Sequence, residues 1–267
     1  MGPEEPDEAA PVDHYFSERP RSPSQRRELR FLYRGTLLRF TVDNGLFAAH
    51  GLDPGTALLI ESLEVGPTDR VLDLGCGWGA IGVAAARQAR EGHVVLTDVN
   101  RRAVGLARAN LRTNRIQNAE VRAGSLFAPV EGERFDIIAT NPPYHAGRAV
   151  IEQLLAGAPD HLTAGGRLVL VGKGSQGIRF YQEWLTEHAA RGVEVLGRGS
   201  GYRVLDARWT SPGAPDAVAT AKTPPAVLAP PKRLKRRGLS AAPPANGALE
   251  AGVPRRPAAE SGTANGE

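Results

Sequence analysis

Three short stretches of this sequence carry residue types at spacings that can do chemistry. Asp73-Leu-Gly75-Cys-Gly77-Trp-Gly79 begins inside a short apolar run, Arg70 to Leu74, and opens an Ala/Gly-rich segment. Asp98 closes a second apolar run, 21 residues past Gly77. Asn141-Pro142-Pro143-Tyr144 breaks a third, Phe135 to Ala139. Glycines after a strand permit a sharp turn and let a ligand approach the backbone without meeting a Cβ. A carboxylate ending the next strand is placed to accept hydrogen bonds from ribose hydroxyls. These features suit a nucleoside-bearing ligand, and Gly75-x-Gly77-x-x-Ala80 also fits the relaxed dinucleotide pattern. A fold of this kind that binds nothing is the remaining alternative.

Asp73 discriminates among them. A carboxylate aimed into the turn would repel a pyrophosphate but bind the amino group of a cationic amino acid. S-adenosylmethionine (SAM) carries an ammonium, a sulfonium and an adenosine and no phosphate, and is the expected cofactor. Asp73, Gly75, Gly77 and Asp98 are expected to hold it, with Asn141 at the edge of the same pocket. Ser125, past a further strand, either meets the adenine edge or caps the following turn, and Leu126 or Phe127 covers the ring. Cys76 reads as a small buried filler, since no adjacent basic residue would lower its pKa.

The Asn141 side-chain oxygen and the Pro142 carbonyl can both accept hydrogen bonds from one NH2 group. The two prolines should fix these acceptors and keep the loop from satisfying them internally. Tyr144 offers a flat face for a planar group. Pro143 and His145 complete the expected substrate contacts, although His145 can also serve the loop backbone alone. An amino group conjugated to a ring or carbonyl is a poor nucleophile because its lone pair is delocalised. Two acceptors draw it toward tetrahedral geometry and stabilise the charge that develops as it attacks a methyl group. The catalytic part thus falls to Asn141, Pro142 and Tyr144. Taken alone, the tetrapeptide is also simply a tight proline turn. The histidines His14, His50, His93, His161 and His188 have no metal-ligand spacing, so no metal is expected.

These stretches need elements to position them. Apolar runs at Arg70–Leu74, His93–Thr97, Ala119–Ala123, Phe135–Ala139 and Arg167–Val171 alternate with helical patterns at Gly79–Arg90, Arg101–Arg112, Ala149–Leu162 and Gln176–Ala190. Asn100 is placed to cap the second helix, and Gly165-Gly166 to close the third. Two last strands, Val193–Gly197 and Tyr202–Ala207, flank Gly199-Ser200-Gly201. The expectation is an α/β fold: a doubly wound, mainly parallel seven-stranded sheet ending in an antiparallel hairpin. Upstream, Leu29–Tyr33 and Thr36–Val42 around Arg34-Gly35 suggest a small N-terminal β-hairpin. Ala57–Leu63 reads as a short helix with Thr56 as its cap.

At 267 residues, with 41% hydrophobic and 23% charged, the chain has room for one good core. Ten of its 21 prolines fall after Thr210, and five more in the first 27 residues, so neither end can bury enough apolar surface to offset ordering. Expected are a disordered or loosely docked segment at 1–27, a catalytic domain at 28–209 and a disordered tail at 210–267. Of the net charge of +4, the tail carries +4, the first 27 residues −2 and the core +2. The tail's charge centres on Lys232-Arg233-Leu234-Lys235-Arg236-Arg237, which either attracts phosphate backbones or keeps the tail solvated. A single cysteine excludes an internal disulfide, and no run is long and apolar enough for a membrane helix, so a cytoplasmic protein is expected.

Asp73-Leu-Gly-Cys-Gly-Trp-Gly79, Asp98 and Asn141-Pro-Pro-Tyr-His145 together resemble a class I SAM-dependent methyltransferase, and more narrowly the small-domain group containing ribosomal RNA guanine-N2 methyltransferases. The likeness runs from about His14 to Trp209 and includes Asp43-Asn-Gly-Leu-Phe47, Asp53-Pro-Gly-Thr56 and Gly201-Tyr-Arg-Val-Leu205. It implies a seven-stranded sheet with an antiparallel seventh strand and a guanine amino group in RNA as acceptor. Several members carry an extra N-terminal domain, which is not expected here, and Tyr144 stands where Phe is frequent. Asn-Pro-Pro-Tyr is shared with adenine-N6 and protein glutamine-N5 methyltransferases, which stay open as alternatives, as does an inactive RNA-binding accessory protein.

Overall fold

The computed structural model describes residues 24–43, 51–188 and 192–209, all within a compact unit spanning Met1–Ala217. His14, the Asn44-Gly45-Leu46-Phe47 segment, His50 and the Lys232–Arg237 cluster lie outside the described residues.

Strands β1 (Arg26–Tyr33) and β2 (Thr36–Asp43) form the hairpin, in unbroken register from Arg26↔Asp43 to Tyr33↔Thr36. β1 begins two residues before the expected start of the domain. Arg34 and Gly35 both have positive φ, 45° and 77°, as a two-residue type I′ turn requires. Alternation buries Tyr33, Leu38, Phe40 and Val42 and leaves Arg30, Leu32, Leu37 and Arg39 exposed.

Helix α1 (Pro54–Ser62) starts earlier than expected. Its cap is Asp53, whose Oδ2 accepts the Thr56 N–H at 2.9 Å, so Thr56 is the capped donor and not the cap. Pro54 explains the shift: its fixed φ suits the first helical position, where no N–H is needed.

The main sheet has the order β5-β4-β3-β6-β7-β9-β8. Its strands are β3 (Arg70–Leu74), β4 (His93–Asp98), β5 (Ala119–Ala123), β6 (Phe135–Thr140), β7 (Leu162–Lys173), β8 (Val193–Gly199) and β9 (Tyr202–Arg208). Only β9, inserted between β7 and β8, runs against the direction of the other six strands. The hairpin, α1, α2 (Ala80–Gln88) and α3 (Arg101–Thr113) share one core face. Helices α4 (Arg148–Gly157) and α5 (Ile178–His188) pack on the other. α4 is shorter than expected because Pro159 follows: residues 158–161 make a 3-10 turn and β7 already begins at Leu162. Gly165-Gly166 therefore falls inside β7, opposite a register shift in β6, and closes no helix.

The hairpin is held by two buried amides, one in α3 and one at its C-terminal cap. Asn110 Oδ1 accepts the Thr41 N–H at 2.8 Å, and its Nδ2 donates to the carbonyls of Thr41 (3.0 Å) and Trp78 (2.8 Å). One turn on, Asn114 pairs in the same way with the N–H and carbonyl of Arg39, at 3.0 and 2.7 Å. Four helical residues rise about 6 Å and two strand residues about 6.6 Å, so Asn110 and Asn114 meet Thr41 and Arg39 as a strand edge would. Phe40, between the two pairs, packs edge-on against Trp78 at 4.9 Å. The hairpin thus props up the glycine turn. Asn110→Ala should lower stability by about 3 kcal/mol in urea unfolding, because it strands three backbone groups, that of Trp78 fully buried and those of Thr41 partly so. A loss under about 1 kcal/mol would mean that the hairpin is held by its aromatic contacts alone.

Candidate active site

Strand order reverses between β3 and β6, the crevice where open α/β sheets bind ligands. The gap between the strand ends is bridged by the Thr140 hydroxyl, which donates to the Leu74 carbonyl at 2.7 Å. A cavity of about 240 Å³ opens above it. Leu74 and Gly75 line it at the end of β3, Thr97, Asp98 and Val99 at the end of β4, and Asn141 and Pro143 from the loop after β6. Val150 and Leu154 of α4 close an apolar wall.

The glycine turn hangs from the end of β4. Gly75 and Cys76 both donate their N–H to the Thr97 carbonyl, each at 2.9 Å, and Gly77 donates to Asp98 Oδ2 at 2.8 Å. Asp98 Oδ1 accepts the Asn100 N–H at 2.8 Å. Burial raises the Asp98 pKa against these two bonds. Gly75 and Gly77 hold φ of 74° and 56°, and a Cβ on either would meet nothing within 4 Å. The space above the turn is open, and a ligand can lie on its backbone.

Asp73 does not point into that space. Its side chain is wholly buried beneath the turn, and Oδ2 accepts the N–H of Gly82, the third residue of α2, at 2.7 Å. The carboxylate therefore occupies the helix N-terminus that a pyrophosphate would use, and repels it from there. This removes the dinucleotide alternative by a route the sequence did not suggest. Asp73 Oδ1 has no hydrogen-bond partner among the described residues. Burial, reinforced by the nearby Asp98 and opposed by the Gly82 N–H, pushes its pKa up to about 7. An orphaned buried carboxylate oxygen under an open glycine cradle fits a cationic ligand such as SAM.

Ser125 is exposed at the cavity rim, where its carbonyl accepts the Ala128 N–H. Leu126, at φ 46°, lines the cavity. Phe127 does not: its ring is buried against His161, with centroids 4.4 Å apart. Cys76 is buried, and burial together with the two aspartates raises its thiol pKa well above the ordinary value.

In the proline loop, Asn141 Nδ2 donates to Thr56 Oγ1 at 2.9 Å and to Asp53 Oδ2 at 3.2 Å. Asp53 Oδ1 accepts from the Tyr202 hydroxyl at 3.2 Å. A carboxylate only accepts, so the NH2 side of the amide must face Asp53 and Oδ1 is left as an acceptor. Pro142 is buried, and its carbonyl takes the Tyr144 N–H at 2.9 Å. The prolines therefore do not prevent internal satisfaction: the loop turns tightly enough to use one of the carbonyl's two lone pairs. The Tyr144 hydroxyl donates to the Val171 carbonyl at 2.8 Å, and its ring lies 6.0 Å from that of Tyr181. A Cβ at Gly172 would come within 2.3 Å of that hydroxyl, so the seat needs glycine. His145 is exposed and makes no hydrogen bond to the loop among the described residues. No cluster among the described residues could hold a metal ion, and no described helix is long and apolar enough to cross a membrane. Asp53, Thr56 and Tyr202 were missed as site residues; Asp53-Pro54 marked a helix start, but nothing local told of Asn141.

The family model described as "Methyltransferase small domain" matches residues 37–206. An uncharacterized protein of Bacillus subtilis, YbxB, is 34% identical over 198 residues, which is 73% of this chain and 98% of that one. Ribosomal RNA small subunit methyltransferase C of Escherichia coli O1:K1 is 41% identical over 131 residues, 48% of this chain but 38% of the relative. Among solved structures, the T. thermophilus 16S rRNA N2 methyltransferase (RsmC), in complex with AdoMet and guanosine, aligns with a TM-score of 0.61 and 31% identity. That alignment covers 70% of this chain and 51% of the other. The chain spans two fifths to half of these last two proteins.

The Asp73 carboxyl gives the ligand-free protein a pH signature. Between its ordinary value of 3.8 and about 7, the folded chain holds a proton that the unfolded chain has released. Its contribution to stability is fully present below pH 3.8 and is lost as pH rises through 7. Asp73→Asn, which keeps an acceptor for Gly82, should remove about 4 kcal/mol of that dependence in urea unfolding at a series of pH values. Identical profiles for both proteins would refute it.

Proposed function

This chain belongs to the methyltransferase small-domain family, and we propose that this SAM-dependent methyltransferase acts on an exocyclic amino group, guanine N2 of ribosomal RNA. The observation that carries the reading is the Asn141 amide. With Nδ2 engaged by Thr56 and Asp53, its oxygen is committed as an acceptor at the cavity wall. The second lone pair of the Pro142 carbonyl is the other acceptor. Relatives that act on rRNA, by their names, support the RNA part.

Bound SAM supplies an electrophilic methyl group on a sulfonium. Asp98 would accept from the ribose hydroxyls with its remaining lone pairs, and Asp73 Oδ1 would face the ligand's positive charge. Ser125 and Leu126 would meet the adenine, and Gly75 and Gly77 give the ligand room. Asn141 and Pro142 would hold the acceptor amine by its two N–H groups. That draws its lone pair out of conjugation and toward the methyl. Tyr144, fixed by Val171, and Pro143 would bound the base, with His145 at the exposed rim. Alignment of this kind is worth about 7–11 kcal/mol. No strong base is required, because the alkylated nitrogen is acidic and gives its proton to water. Acting on rRNA, the protein would work in the cytoplasm.

Transfer of a tritiated methyl group from SAM into total rRNA, set against total protein, tests the acceptor. Label in protein alone would overturn the RNA reading in favour of a glutamine amide. Mass spectrometry of the labelled nucleosides separates guanine N2 from adenine N6. Asn141→Ala should lower turnover by about 10²–10³-fold with SAM affinity little changed; a matching loss of SAM binding would contradict this division of labour. Asp53→Asn keeps a good helix cap yet lets the amide of Asn141 turn over. It should cut kcat about tenfold, with thermal stability and SAM affinity near those of the parent.

A further inference from the structure

Two turn positions break the local rules of their turns, and both breaks bring an arginine to one groove. In a type I′ hairpin turn both central residues need positive φ, and Asn or Asp before Gly is preferred. This hairpin has Arg34 there, at φ 45°. At the end of α3, Ile116 N–H reaches the Leu111 carbonyl and Arg115 N–H the Arg112 carbonyl. That is the Schellman pattern, whose left-handed residue is usually glycine. Here it is Arg115, at φ 55°. L-residues with long side chains are disfavoured in this conformation, and such strain is a pointer to function when something else accounts for its retention.

Arg34 and Arg115 line the same groove of about 750 Å³, together with Arg87 and Arg90 from the end of α2. No aspartate or glutamate lines it. All four arginines are exposed, and none has an ion-pair partner among the described residues. Elsewhere the chain pairs its arginines readily, as in Arg30–Glu28, Arg148–Glu152 and Arg167–Asp206. Arg87 and Arg90 could simply answer the negative end of the α2 dipole. The last carbonyls of that helix are already served, however: Asn118 Nδ2 donates to those of Ala86 and Ala89. A dipole also gives no reason for Arg34 or Arg115.

We propose that this groove binds the phosphodiester backbone of the RNA substrate. The identity of the partner rests on the RNA reading above; the geometry of the groove does not. It lies before β3, beside Val65 and Pro67, whereas the cavity follows β3 at Leu74 and Gly75. The length of a five-residue strand, about 17 Å, therefore separates phosphate grip from methyl transfer. An RNA of several nucleotides spans that distance. The grip recognises backbone charge and leaves the choice of base to the cavity.

Full-length Arg34→Asn/Arg115→Gly replaces each arginine by the residue its turn prefers. It should melt no lower than the parent, yet bind a fluorescein-labelled RNA hairpin about tenfold more weakly in anisotropy titrations. The slope of log affinity against log salt should shrink by about 1.5, for two lost phosphate contacts. Arg87→Gln/Arg90→Gln, which touches no turn, should do the same. Unchanged affinity and slope in both double variants would overturn the proposal, even if RNA is methylated. A loss of RNA affinity would sustain it even if methylation of RNA is never observed. An equal loss for fluorescent polyglutamate would overturn it by showing a non-selective anion surface.

Discussion

One carboxylate gathers the site. Asp53 caps α1 through Thr56, receives the Asn141 amide and receives the hydroxyl of Tyr202. Three chain segments separated by 88 and 149 residues meet on its two oxygens. Each bond is ordinary, but together they convert an asparagine that could flip into one with a defined donor side and acceptor side. The close approach leaves no room: a Cβ on Gly55 would come within 2.6 Å of the Tyr202 ring. The antiparallel strand β9, set between β7 and β8, is what brings Tyr202 to this point.

The elements that repeat a hydrophobic period were legible without coordinates. All seven strands of the main sheet, the hairpin and the Asn100 cap stand where the pattern of apolar residues put them, within two or three residues except at the start of β7, which begins five residues early. What was not legible depended on which partner each polar group takes once the chain has folded. The spacing of Asp73 from the glycines is local and marked it for the ligand, but its bond to Gly82, which closes only when α2 folds back over the turn, could not be read. Thr56 was read as a cap because the apolar run begins just after it, although Pro54 at the first helical position already favours Asp53. Asn110 and Asn114 were invisible among the helix's apolar positions, since a buried asparagine is recognisable only by what it bonds. The Pro142 carbonyl was thought free because proline lacks a donor, but its partner is the N–H of Tyr144, two residues on.

The ligand-free fold carries an electrostatic cost at its centre. Asp73 is fully buried and Asp98 partly so, both are raised in pKa by loss of water, and the Asp98 charge adds to the rise at Asp73. Burying like charges together opposes folding unless something compensates. A positively charged ligand relieves that opposition at once, so affinity for it is stored in the way the unbound chain is built. The apolar walls of Val99, Leu126, Val150 and Leu154 sharpen the effect by keeping the local dielectric low.

The amide ladder between α3 and the hairpin constrains how this chain can vary. Backbone pairing between strands tolerates almost any side chain, because every residue brings the same N–H and carbonyl. Here one side of the ladder is made of side chains at fixed helical spacing. Point changes on the exposed face of β2 leave it untouched, but gaining a residue between Arg39 and Thr41, or losing Phe40, would keep the two rungs from forming together and would disrupt the packing on Trp78. Sequences that share this fold can drift freely in composition over that strand, yet they should align there without gaps.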